Sequence, residues 1–314
     1  MPLTSLPVLS LADDKATFAK AIGDSFKTFG FAMVKDFGID PALIAKAWAL
    51  TEAFFALPEE EKRRYFIEGI GGARGYTPFG TEIAKGARAH DLKEFWHVGR
   101  DLEPGNPLED SMPPNVWPER PEGFRECFQQ LYAEFDRVGA VILSRIAVYL
   151  GLDEHWFDPA IDEGNSVMRL LHYPPIEQLE GEAIRAGAHG DINLITLLLG
   201  AEEAGLELLT KEGEWISASP PPGAMVINVG DMLERLTNHV LPSTIHRVRN
   251  PNPERARFSR YSMPFFLHLR SDFPFVTLPQ CVTPENPDRY PVSITADEFL
   301  QQRLIEIGLK KKAG

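Results

Sequence analysis

Apolar residues recur at Phe18, Ile22, Phe26 and Phe29, close to the 3.6-residue period of a helix. This predicts a helix over residues 13–30, with Gly30 as its C-terminal cap. The run Phe31, Ala32, Met33, Val34 and Lys35 then reads as a strand. A second helix is predicted over 40–57, because Pro41 suits the first helical position, where its missing N–H costs little, and Pro58 stops the helix. Residues 67–118 carry Gly, Pro and mixed charge with neither helical nor strand period, and read as a long loop of the functional or mobile kind. A long helix over 123–150 follows, with Phe128, Leu131, Phe135, Val138, Val141 and Ile142 on one face, fit to back a sheet.

The second half changes character. The short apolar runs VMRLLHY, LITLLL, LELL, EWISA, AMVINV and FSRYSMPFF are separated by Pro, Gly and acidic clusters. Many short strands at such spacing suggest a sandwich or barrel. Residues 231–236 read as one short helix with Asp231 as N-cap, and 295–311 as a closing amphipathic helix. The class is α+β, divided into an N-terminal helix–strand–helix region with its long loop (1–120) and a strand-rich core with a backing helix and a C-terminal helix (121–314), expected to form one structural unit.

Composition narrows the function. With 44% hydrophobic and 25% charged residues the chain is ordinary globular material. A net charge of −13 without a basic stripe argues against nucleic acid, and no segment approaches the roughly 18 apolar residues of a membrane helix. A cytoplasmic protein is expected, with a small molecule as partner; its oligomeric state is not readable. Cys127 and Cys281 are too few for a disulfide framework and too isolated for a thiolate metal site.

The chemistry concentrates around His189-Gly190-Asp191. In an extended chain residues i and i+2 share a face, so this imidazole and carboxylate can address one ion. His246, in a β-branched run, could pair nearby as a third ligand. Two His and one carboxylate leave the opposite side of a metal open, as Fe(II) enzymes that bind a co-substrate and dioxygen together require. An HxD pair alone is common by chance. Eleven residues after His246 comes Arg257-Phe258-Ser259, which in a strand would offer a guanidinium and a hydroxyl to a carboxylate, and which by itself is also a surface strand.

Taken together, HxD, a distal His, RxS and the stretch GLELLTKEGEWISASPPPGAMVINVGDMLERLTN leading into STIHRVRNP resemble the isopenicillin-N-synthase-like branch of the 2-oxoglutarate/Fe(II) dioxygenases over nearly the whole chain. The resemblance implies a double-stranded β-helix (jelly-roll) fold with iron held by His189, Asp191 and His246. It implies 2-oxoglutarate anchored by Arg257 and Ser259 with help from Tyr173, and hydroxylation or desaturation of a small molecule by O2 with release of succinate and CO2. Many relatives read Asn-Tyr-Tyr-Pro where this chain has Leu171-His172-Tyr173-Pro174, a lost polar contact beside the co-substrate. Two alternatives stay open: a same-fold Fe(II) oxidase that does not use 2-oxoglutarate, as isopenicillin N synthase and aminocyclopropane-carboxylate oxidase do, and a non-catalytic metal-containing binding protein.

Beyond the motif, Tyr76, Phe79, Phe95, Trp96 and His97 are candidates for a substrate-facing aromatic wall, or for ordinary packing. Arg74, Arg88 and Lys93 could meet a substrate carboxylate or make surface ion pairs. His172 should face away from Tyr173. His239 and His268 read as structural, His90 and His155 as solvent-facing, Arg247 and Arg249 as solvated edge residues or as readers of an acidic substrate, and Asn228 as a turn residue.

Overall fold

The computed structural model of the protein describes residues 5–70, 72–81, 92–175, 185–200, 205–250 and 253–306. In chain order the elements begin with β1 (Val8–Ser10), α1 (Lys15–Phe29), β2 (Phe31–Lys35), α2 (Pro41–Phe55), α3 (Glu59–Arg63), β3 (Gly75–Thr77), β4 (Glu94–Gly99) and α4 (Phe124–Tyr149). They continue with α5 (Asp158–Ile161), β5 (Val167–Tyr173), β6 (Ala186–His189), β7 (Ile195–Leu199), β8 (Leu206–Leu209), β9 (Trp215–Ser217) and β10 (Ala224–Val229). The chain closes with α6 (Asp231–Leu236), β11 (His246–Val248), α7 (Pro253–Ala256), β12 (Arg260–Leu267), a small β13 (Pro274–Phe275)–β14 (Ile294–Thr295) pair and α8 (Ala296–Glu306). Helix α1 is bounded as its sequence predicts: Asp14 accepts from the Thr17 N–H, and Gly30 closes it in the left-handed conformation at φ 69°.

An eight-stranded sheet runs in the order β1-β2-β10-β7-β12-β5-β4-β3, and a four-stranded sheet in the order β6-β11-β8-β9. One face of the large sheet carries helices. Tyr261, Met263, Phe265 and Leu267 of β12 enter the core shared with α1, α2 and α4, where Phe135 stacks on Phe265 at 5.3 Å. Toward the small sheet, Phe31 and Met33 of β2 and Val226 of β10 share a second apolar cluster with Ala186, Leu206, Leu208 and Val248. The space between the two sheets receives Arg260, Ser262, Pro264 and Phe266, because a strand alternates its side chains between faces. No described helix is long and apolar enough to cross a membrane.

Two strands lie where a loop is expected. β3 and β4 complete one edge of the large sheet, pairing Tyr76 with Trp96 and Phe95 with Leu171. Every residue of β4 is buried on both faces, so its polar Glu94 and His97 erase the alternation that marks a half-exposed strand. The short helix after β10 forms, but its N-cap is Gly230, and Asp231 is already helical. Arg88 and His90 lie outside the described residues, as does the predicted end of the last helix at 307–311.

Candidate metal centre

β6 ends on His189, and β11 begins on His246, directly opposite it in the antiparallel register. That pairing brings the rings to 4.4 Å between centroids. Asp191 follows two residues after His189. Its Oδ1 lies 3.8 Å from His189 Nε2 and 3.7 Å from His246 Nε2, and the three ligand atoms fall within 4.8 Å of one another. His189 Nδ1 donates to the Gly187 carbonyl (2.7 Å) and His246 Nδ1 to the Thr244 carbonyl (3.2 Å). With both Nδ1 protons engaged, each Nε2 presents a lone pair to the shared point, as metal-ligating imidazoles do. Among the described residues no other group of His, Cys, Asp and Glu converges in this way.

The carboxylate is held from behind. Thr196 Oγ1 (2.6 Å) and Asn228 Nδ2 (2.8 Å) both donate to Asp191 Oδ2, leaving Oδ1 facing the imidazoles. Burial pushes the Asp191 carboxyl up, but His246, His189 and the Thr196 and Asn228 hydrogen bonds outweigh it and hold it below its usual range. Asn228 is therefore a positioning residue rather than a turn residue, a role its place inside an apolar strand run concealed. Helix α6 fixes the backbone of the same loop, with Asp231 N–H donating to the Asp191 carbonyl (2.7 Å) and Met232 N–H to that of Ile192 (3.1 Å). This is why Asp231 is inside the helix and not its cap. Burial and the neighbouring His246 drive His189 down to about 4, so its ring is neutral near pH 7, although 45% of its side chain remains accessible.

Arg257 does not lie in a strand. It is exposed, in the turn between α7 and β12, and Ser259 precedes the strand, its Oγ bonded to His172 Nε2 (2.9 Å). The guanidinium that enters the space between the sheets is Arg260, 4% exposed and paired across the strands with Tyr173. It lies 5.1 Å from the centre of the Tyr173 ring, and Arg185 approaches the same ring at 5.8 Å. Arg260 Nε and Nη1 are buried with no partner among the described residues. Ser262, two residues on, shares Arg260's face. A second R-x-S, Arg260-Tyr261-Ser262, thus places its Arg and Ser on the face of β12 that looks between the sheets.

The proposed aromatic wall divides by strand alternation. Phe95 and His97 face the space between the sheets, with ring centroids 4.7 Å apart. Trp96 packs in the helix-side core against Phe54, and Tyr76 sits in that core with its hydroxyl on Glu94, while Phe79 is 47% exposed. His172 faces away from Tyr173, as its spacing predicts, and bonds Glu94 (2.7 Å). His268, read as structural, has a buried Nδ1 without a partner among the described residues, and burial pushes its imidazole down to about 4.

Residues 164–269 match the family described as the 2OG-Fe(II) oxygenase superfamily, and residues 2–120 match the N-terminal family described as non-haem dioxygenase in morphine synthesis. A 2-oxoglutarate-Fe(II) type oxidoreductase of Emericella nidulans is 31% identical over 297 residues, spanning 91% of this chain and 84% of that protein. A crystal structure of a 2OG-Fe(II) oxygenase family protein of Caulobacter crescentus superposes with a TM-score of 0.91 at 56% identity, covering 97% of this chain and 100% of the other. A full-length Neurospora crassa protein crystallised in complex with alpha-KG gives 0.85 at 30% identity, covering 95% of both chains.

Proposed function

Because this chain belongs to the 2-oxoglutarate/Fe(II) oxygenase family, we propose that His189, Asp191 and His246 hold its iron and that Arg260, with Ser262 and Tyr173, anchors its co-substrate. The activity is that of a 2-oxoglutarate-dependent dioxygenase, an oxidoreductase that uses Fe(II), 2-oxoglutarate and O2 on a small molecule. The observation that carries the assignment of residues is the convergence of two Nε2 atoms and one Oδ1, with every competing hydrogen-bond direction already engaged. Nitrogen and oxygen donors without thiolate suit Fe(II), and three protein ligands leave positions for a chelating co-substrate and a gas.

When bound, iron and 2-oxoglutarate supply the oxidising power, releasing succinate and CO2 while a C–H bond of the substrate is hydroxylated or desaturated. The chain's own residues bind and orient. Thr196 and Asn228 fix which oxygen of Asp191 faces the metal. Arg260 contributes two buried nitrogens that have no hydrogen-bond partner among the described residues, and a carboxylate satisfies such a fork of N–H groups. Tyr173 packs under that guanidinium and restricts its motion. We read the two facing sheets as a double-stranded β-helix. We also read the N-terminal region and the strand-rich part as one unit, since α1, α2, α4 and β12 contribute to a single apolar cluster.

The test is anaerobic addition of Fe(II) and then 2-oxoglutarate to the protein, following the visible charge-transfer absorption of a chelated 2-oxo acid. The band is expected in the wild type and absent in His189→Ala and Asp191→Ala. A band of full intensity in either variant overturns the ligand assignment.

A further inference from the structure

Arg74 is 2% exposed, and its only hydrogen bond among the described residues runs from Nη1 to the neighbouring Ala73 carbonyl (2.8 Å). Its Nε and Nη2 are buried without a partner among those residues. The guanidinium fills the space over Gly99, where any added Cβ would collide with it. Gly99 shares its face of β4 with Phe95 and His97, so the cation lies on the face that looks between the sheets. Asp101 lends it electrostatic support, but its own oxygens accept from Asn115 and Gln129. A dry guanidinium with open donors is costly unless an anion joins it.

A second guanidinium is held on the same face. His97 Nδ1 donates to the Gly72 carbonyl (2.5 Å), so its Nε2 accepts from Arg169 Nε (2.5 Å), and Arg169 is opposite His97 in the strand register. The Arg169 guanidinium lies 4.2 Å from the Phe95 ring centre and 5.5 Å from that of Phe266. Phe266 pairs with Thr196, whose hydroxyl holds Asp191. The cluster therefore abuts the metal centre through one strand pair, and Phe95 also packs with Leu171 and Tyr173.

We propose that the molecule oxidised at the triad is an organic acid, its carboxylate bound by Arg74 and its carbon skeleton flanked by Phe95 and Phe266. The proposal rests on the triad being the oxidising centre. The test uses benzoate, phenylacetate and cyclohexanecarboxylate, each beside its amide, titrated calorimetrically into the protein loaded with Mn(II) and 2-oxoglutarate. At least one acid is expected to bind tenfold or more tightly than its amide. Arg74→Met should erase that difference while leaving the 2-oxoglutarate affinity within twofold, and Arg74→Lys should retain part of it. Thermal melts establish that both variants are folded, and the wild-type comparison needs no variant. Titrating 2-oxoglutarate with and without Mn(II) separates the two readings, since a failed metal centre shows as no Mn(II)-dependent 2-oxoglutarate binding. Equal affinity of acids and amides, no saturable binding of any acid, or an acid preference that survives Arg74→Met overturns the proposal.

Discussion

Replacing Arg260 and replacing Arg257 by Ala should have very different consequences, although the two arginines are three positions apart and each begins an R-x-S. Arg260 is 4% exposed with two buried nitrogens that have no partner among the described residues, and Arg257 is in an exposed turn. Truncating one partner of a buried, hydrogen-bonded charge pair costs about 2–5 kcal/mol. At tenfold per 1.4 kcal/mol, this is a loss of roughly 30-fold to a few thousand-fold in 2-oxoglutarate affinity. An exposed side chain away from such a feature contributes within about 0.5 kcal/mol, roughly a twofold change. The assay is anaerobic titration of 2-oxoglutarate into Fe(II)-loaded protein, followed by the charge-transfer absorption. Arg260→Lys keeps the charge but loses the planar fork, and should fall between wild type and Ala. Equal losses in the two Ala variants, or an unchanged affinity in Arg260→Ala protein that melts like wild type, would refute the reasoning.

Removing the Asn228 amide with Asn228→Ala frees one oxygen of Asp191 and should weaken Mn(II) binding by about 10- to 100-fold, the usual cost of losing a group that orients a metal ligand; an unchanged titration by electron paramagnetic resonance would contradict this. Glu94→Gln leaves Lys62, 7% exposed at its side chain, without its buried counter-ion, and should cost about 3–5 kcal/mol in urea unfolding. Burial raises the Glu94 carboxyl, but hydrogen bonds from His172, Lys62 and Tyr76 hold it below the ordinary glutamate value. Its stabilisation is thus complete above the unfolded-state pKa and lost as pH falls through the lower folded one. The gap between wild type and Glu94→Gln should therefore shrink on acidification, and a gap that widens would disprove the assignment. Gly230→Ala drives a Cβ into the Asn193 carbonyl and should lower stability by about 1–3 kcal/mol, with weaker metal binding because the displaced loop carries Asp191; a melting temperature equal to wild type would count against it.

The convergence of His189, Asp191 and His246 was legible because its geometry is local: a residue at a strand end, another two positions on, and a third brought opposite by pairing. The strong helices were legible for a related reason, since α1 and α4 bury one stripe and expose the other. β4 was not, because burial on both faces removes the polar alternation on which recognition of a strand depends. Asn228 was hidden by the same effect, as a polar residue within AMVINV looks like a flaw in an apolar strand until the strand's inner face is known.

The arginine register shows what decides between two copies of a short motif. Arg257-Phe258-Ser259 and Arg260-Tyr261-Ser262 satisfy R-x-S equally, so spacing from His246 cannot choose between them. The hydrophobic phase of the following strand can. Tyr261, Met263, Phe265 and Leu267 form an unbroken two-residue period facing the helices, which forces Arg260 and Ser262 onto the opposite face. The Pro253–Ala256 helical turn interrupts any strand before that point, so Arg257 has no pleat to belong to. A one-residue slip of β12 would move Arg260 into the apolar core against α4. The register is thus fixed by burial on one face, and Arg260, the residue proposed to bind the anion, inherits its position on the other face from it.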